Sequence, residues 1–119
     1  MTTARPMVEM FGELAERRRD HPALVGASRT VTYGELWQRA NRVAHALAAD
    51  GVGEGRRVTY LDLNNPEFFE LMLGAAKIGA AIAPLNFRLT PQELGAIVAD
   101  AEATVLVVGP AFEAAVPVI

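Results

Sequence analysis

From Val58 onward the sequence alternates apolar runs of strand length with longer helix-like segments, and that alternation limits the fold more than any other feature. "VTYLDL", residues 58–63, is rich in β-formers. Residues 66–78 carry Phe68, Phe69, Leu71, Met72, Leu73 and Ile78, apolar on nearly every side, which predicts a buried helix. "AAIAPL" reads as the next strand, 91–101 as the next helix and "TVLVV" as a third strand. The order βαβαβ calls for an α/β fold with a parallel sheet and right-handed crossovers.

Upstream, Phe11, Leu14 and Ala15 predict a short amphipathic helix over residues 6–19, stopped by His21-Pro22. "ALVGASRTVT" predicts a hairpin of two short strands around a Gly-Ala-Ser-Arg turn. Leu36, Ala40, Val43, Ala44 and Leu47 form the stripe of another helix, ended by Gly51. Asn65-Pro66 caps and starts the helix at 66, and Gly79 closes it. After Gly109-Pro110, "AFEAAVPVI" is expected to start one more helix. The chain stops on apolar residues without a finishing element, so residues 1–119 are expected to be the truncated first part of a larger domain.

Two helix starts repeat one pattern. In "VTYGEL", Thr32 is the expected N-cap, Glu35 its reciprocal partner, and Val31 with Leu36 the hydrophobic staple. In "LTPQEL", Thr90, Glu93, Leu89 and Leu94 take those roles, with Pro91 at the first helical position. These motifs are structural, yet they fix the loops ahead of them, including the one that bears Arg88.

Composition excludes several classes of function. Eleven basic against fourteen acidic side chains give a net charge of −3, with only Arg17-Arg18-Arg19 clustered, so no nucleic-acid footprint is present. The absence of cysteine removes a disulfide framework, a thiolate nucleophile and a sulfur metal site, and fits a cytoplasmic protein. Glu9, Glu13 and Glu16 rule out a signal peptide in the first residues. The apolar stretch from Leu71 to Leu85 is broken by Lys77, Gly79 and Pro84, too short and interrupted for a transmembrane segment.

Gly51-Val52-Gly53-Glu54-Gly55 precedes a strand instead of leading from one into a helix, so it reads as a C-cap and turn, not a dinucleotide loop. No Gly-rich loop with Lys-Ser/Thr occurs, and Asp62, at a strand end, lacks the further acids and lysine of a phosphoacceptor site. His21 and His45 have no carboxylates at ligand spacing and read as solvated. Lys77, the only lysine, falls in a last helical turn where a cation suits the dipole. In open α/β sheets, ligands gather beyond the carboxyl ends of the strands. Those ends are Asp62-Leu63-Asn64-Asn65, Asn86-Phe87-Arg88 and Gly109-Pro110, and Arg88 is the one cation among them. A guanidinium matches phosphate oxygens in bidentate geometry, which makes a phosphate contact the alternative to an ordinary surface arginine.

The order of these pieces resembles a known family. "VTYGEL" is similar to the first core motif, and "AAKIGAAIAPLNFRLTPQEL" to the second, of AMP-forming acyl-CoA synthetases in the adenylate-forming superfamily. The resemblance covers about residues 6–109, and "PLNFRLT" looks more like fatty-acyl and related CoA ligases than peptide-synthetase domains. It implies the βαβαβ portion of the large N-terminal domain and a two-step reaction. ATP and a carboxylic acid, expected to be a fatty acid, give acyl-AMP and pyrophosphate with Mg²⁺, and CoA then displaces AMP. In the family the phosphate loop, the adenine segment, the ribose-binding Asp and the C-terminal lysine all lie beyond the position of Ile119. No catalytic or metal residue therefore carries over; only Arg88 maps near the CoA entrance, as a candidate for CoA-phosphate binding. The isolated chain is expected to be inactive, to bind none of these cofactors tightly and to self-associate. The alternative is a free-standing α/β binding or interaction module that has lost catalysis.

Overall fold

The computed structural model describes residues 6–119. In order, the elements are α1 Met7–Arg17, β1 Pro22–Val25, β2 Thr30–Thr32, α2 Tyr33–Ala49, β3 Arg57–Leu61, α3 Pro66–Lys77, β4 Ala81–Pro84, α4 Pro91–Asp100 and β5 Val105–Val108, then a 3-10 helix, Pro110–Ala115. β1 and β2 form the expected antiparallel hairpin. β3, β4 and β5 form a parallel sheet in the order β4-β3-β5, with Val58 of β3 in register with Ile82 on one side and Val105 on the other.

The apolar pattern explains the layers. Val58 and Tyr60 of β3 point to one face, where they pack with Leu47 of α2 and Leu71 and Ala75 of α3. Leu61 shares the opposite face with Leu85 and with Leu94 of α4. α3 and α4 thus cover opposite faces, as right-handed crossovers running in opposite directions across the sheet, β3 to β4 and then β4 to β5, require. Thr59, fully buried in β3, satisfies its hydroxyl by donating to the Val105 carbonyl at 3.0 Å.

The helix ends follow one device. At the end of α2, Val52 N–H donates to Leu47 O at 3.0 Å and Gly51 N–H to Ala48 O at 3.1 Å, with Gly51 at φ 85°. This is a Schellman motif, in which a left-handed residue returns the chain across the last turn. Gly79, at φ 74°, repeats it at the end of α3, with Ala80 N–H donating to Ala75 O. At the end of α4 the left-handed residue is Glu102, at φ 53°, with Glu102 N–H donating to Ala99 O.

Four expectations need correction. α1 ends at Arg17, before His21-Pro22, because its apolar repeat stops at Ala15 and the following arginines are exposed; Pro22 instead opens β1. α3 is buried on most but not all sides: Leu71 and Ala75 pack on the sheet and Leu73 on α2 and the hairpin, while Phe69 stays 38% exposed and Glu67 and Glu70 meet Arg29 and Arg39. Each capping box is half made: Thr32 and Thr90 accept from Glu35 N–H and Glu93 N–H, both at 3.2 Å, while both glutamates point to solvent. After Gly109 there is a short 3-10 helix and no α-helix; its Phe112 is tied to Phe87, ring centroids 5.6 Å apart.

Candidate functional site

The chain runs from β3 to β4 on one side of the sheet and then crosses to β5 on the other. The segment leaving β3 packs on one face as α3, and the segment leaving β5 packs on the other through Phe112, so the crevice between these two carboxyl ends is where open α/β sheets hold ligands. A cavity of about 410 Å³ lies there, lined by Tyr60, Asp62, Asn65 and Glu67 on the β3 side and Val107 to Pro110 on the β5 side.

Its polar wall is a closed hydrogen-bond network. The Tyr60 hydroxyl donates to Asn65 Oδ1 at 2.7 Å, and Asn65 Oδ1 also accepts from Phe68 N–H, capping α3. Asn65 Nδ2 donates to Asp62 Oδ2 at 2.8 Å, and Asp62 Oδ1 accepts from Leu63 N–H at 2.8 Å. Burial, and then the Asp62 carboxylate, push the Tyr60 phenol above its usual range and keep it a donor. Gly109 has no side chain because the Asp62 carboxylate occupies the space a Cβ would need, and Gly109 N–H donates to Leu61 O at 2.9 Å.

Arg88 stands elsewhere. It lies in the turn after β4, on the far side of the central strand from β5, and does not line the cavity. Asn86 shapes that turn: its Oδ1 accepts from Arg88 N–H at 3.0 Å and its carbonyl from Leu89 N–H at 3.1 Å. Phe87 anchors the turn to Phe112, and the Arg88 guanidinium is exposed, 5.5 Å from the Phe87 ring centroid. Among the described residues no carboxylate forms an ion pair with it. The strand-end positions are thus split between a negative crevice at β3–β5 and a cation at β4. Sequence reasoning singled out the cation and missed the Tyr60–Asn65–Asp62 network. Its signal was Asp62 and Asn65 three residues apart, just past a strand.

His21 and His45 are exposed, as expected. Lys77 does more than complement a helix dipole: its Nζ sits 3.4 Å above the Trp37 ring, joining α3 to α2. Among the described residues no group of three His, Asp or Glu side chains converges to hold a metal, and both Asp62 oxygens already accept hydrogen bonds. The residues present do not fit a resident Mg²⁺. No helix among the described residues is long and apolar enough to cross a membrane.

Residues 11–118 match the family described as AMP-binding enzyme. The chain is 42% identical over 99 residues to a 3-hydroxybenzoate–CoA ligase from Aromatoleum sp. (strain CIB), covering 83% of this chain and 19% of that protein. It is 42% identical over 79 residues to the fatty acid–[acyl-carrier-protein] ligase ScoC of Streptomyces coeruleorubidus, covering 66% of this chain and 15% of that one. The fold superposes on the crystal structure of the N-terminal domain of FACL13 from Mycobacterium tuberculosis with a TM-score of 0.92 at 32% identity. That match covers 98% of this chain and 30% of the other. The chain therefore spans less than a fifth of the curated relatives it matches.

Proposed function

The chain belongs to the AMP-binding enzyme family, and we propose that residues 1–119 are the N-terminal part of an AMP-forming acid–thiol ligase. The whole protein activates a carboxylic acid with ATP and Mg²⁺ as an acyl-adenylate, then passes the acyl group to CoA. The observation that carries this reading is the family match over residues 11–118, supported by a fold that superposes over 98% of this chain on part of the FACL13 N-terminal domain.

Within that reaction, this part of the chain contributes a scaffold and one cation. We assign Arg88 to the phosphates of CoA: its turn is fixed from both sides and its guanidinium is exposed and unpaired. The negative crevice between β3 and β5 is unsuited to phosphate, because Asp62 and Glu67 line it. The sequence motif pointed to a fatty acid as substrate. Support is divided, since a fatty-acid ligase and a hydroxybenzoate ligase are similar to this chain at the same identity. We retain the fatty acid as the proposal, in a cytoplasmic enzyme.

The test is ATP–pyrophosphate exchange by the complete gene product over hydroxybenzoates and short to long fatty acids. Exchange is expected, strongest with fatty acids. Exchange with hydroxybenzoates alone would overturn the substrate. No exchange with any acid would overturn the ligase reading and leave the non-catalytic module in its place.

A further inference from the structure

Two aromatic rings stay exposed among the described residues, Phe69 at 38% and Phe87 at 39%. Their surroundings differ in charge. Phe69 lies on α3 between Glu67 and Glu70, and both acids are already paired, to Arg29 and Arg39. Phe87 is followed by Arg88, which has no carboxylate partner among the described residues. The segment that carries this ring and this cation is held along its length. Asn86 ties it twice, accepting Arg88 N–H at its Oδ1 and Leu89 N–H at its carbonyl. Leu89 packs into the cluster of Leu61, Leu85 and Leu94, and Thr90 caps α4. Phe112, in the segment after β5, supports the Phe87 ring with centroids 5.6 Å apart.

An exposed ring next to an unpaired guanidinium matches the two ends of a nucleotide. A base has a π-face that stacks on an aromatic side chain, and a guanidinium takes phosphate oxygens. Base and phosphate are separated by one ribose, and here the guanidinium stands 5.5 Å from the ring centroid. CoA carries its nucleotide at the end opposite its thiol. We propose that Phe87 is the platform on which the adenine of CoA stacks, so that Phe87 and Arg88 together hold the nucleotide end of CoA. This role rests on the ligase reading and on Arg88 meeting CoA, and it adds a specificity: a thiol arm that carries adenine is favoured over the same arm without it. The turn is fixed before the ligand arrives, so little ordering is lost on binding.

The test assays the complete gene product for thioester formation with CoA and with 4′-phosphopantetheine, which has the same thiol arm and a phosphate but no adenine. The acid is one that supports pyrophosphate exchange. CoA is expected to be favoured in kcat/KM by at least about tenfold. Phe87→Leu keeps an apolar contact with Phe112 but removes the aromatic face, and should cut that preference about fivefold or more. Phe87→Trp presents a face again and should keep the preference. No preference for CoA in the unmodified protein overturns the proposal. So does an unchanged preference in folded Phe87→Leu, or one as low as the leucine variant's in Phe87→Trp. Pyrophosphate exchange uses no thiol and reports separately. Exchange without a CoA preference refutes the role of Phe87 and leaves the ligase reading standing, whereas no exchange with any acid overturns both.

Discussion

Single residues separate what this chain says openly from what it hides. Gly51 and Gly79 announce two helix ends in the sequence, and both occupy left-handed positions. The third end was read in place, at 91–101, but its left-handed residue was not legible, because Glu102 holds that conformation and a glutamate carries no turn signature. A left-handed conformation costs a non-glycine residue roughly 1–2 kcal/mol, partly offset by the greater freedom glycine has when unfolded. Glu102→Gly should therefore stabilise the chain by about 0.5–1 kcal/mol, read as a higher urea midpoint at unchanged slope. Arg88 was legible as a cation at a strand end, but its separation from the β3–β5 crevice depends on strand order, which no single residue encodes. If its guanidinium meets a CoA phosphate, Arg88→Ala in the complete protein removes a charge-assisted bond worth roughly 1.5–3 kcal/mol. CoA affinity should fall about ten- to a hundred-fold while adenylate formation is kept. Arg88→Lys should recover part of the loss, since the charge stays and the fork does not. An unchanged ratio of the two half-reactions would make Arg88 an ordinary surface residue.

At the scale of elements, local chemistry and periodicity agree, which is why the βαβαβ order could be read without a structure. Asn65, Thr32 and Thr90 cap their helices through backbone N–H groups at 3.2 Å, and Pro66 and Pro91 occupy first-turn positions. What periodicity cannot reveal is how two helices approach. α2 and α3 cross where Gly74 faces Val43 and the Ala40 carbonyl. A Cβ there would lie 2.8 Å from Val43 Cγ1 and 3.0 Å from that oxygen. The oxygen is backbone, so a methyl cannot be absorbed by a rotamer change alone. Helix propensity alone would favour Gly74→Ala by up to about 1 kcal/mol. Overpacking costs about 1–3 kcal/mol and should win, so the variant is expected to unfold at lower urea. Greater stability would mean that the seam has more room than its geometry indicates. The Arg39–Glu70 pair at 3.1 Å and Lys77 over Trp37 flank this seam, and neither was foreseen, because each joins residues more than 30 positions apart.

For the whole molecule, the sheet is a piece of architecture with two open sides. β4 and β5 are both outer strands, and β5, "VLVV", is the uninterrupted apolar run of a strand meant to be covered on both faces. All four of its residues remain half-exposed, and Ile97, Val116 and Val118 add apolar surface at 41%, 41% and 51% exposure. Neither a phosphate cradle nor a converging set of metal ligands lies among the described residues. The isolated chain is thus expected to show only background pyrophosphate exchange with any acid, because charge developing on a transferred phosphoryl group would meet no fixed donors. Exchange by the pure 119-residue chain would contradict that account. The same open surfaces set its behaviour in solution. An unpaired parallel edge offers N–H and C=O groups to another edge, and exposed valine and isoleucine favour contact over water. A net charge of −3 opposes association weakly at physiological salt, where repulsion fades beyond about 8 Å. Sedimentation velocity should therefore show mass-dependent association that grows as salt is added. Asp substituted for Leu106, half-exposed at the centre of β5, would test the face but would also disturb its packing against Leu61 and Leu94. Val118→Asp, on the exposed C-terminal segment, is the cleaner variant and should reduce association without lowering the urea midpoint. A compact monomer at high concentration, in both the unmodified chain and Val118→Asp, would mean these faces need no cover and would favour the free-standing module.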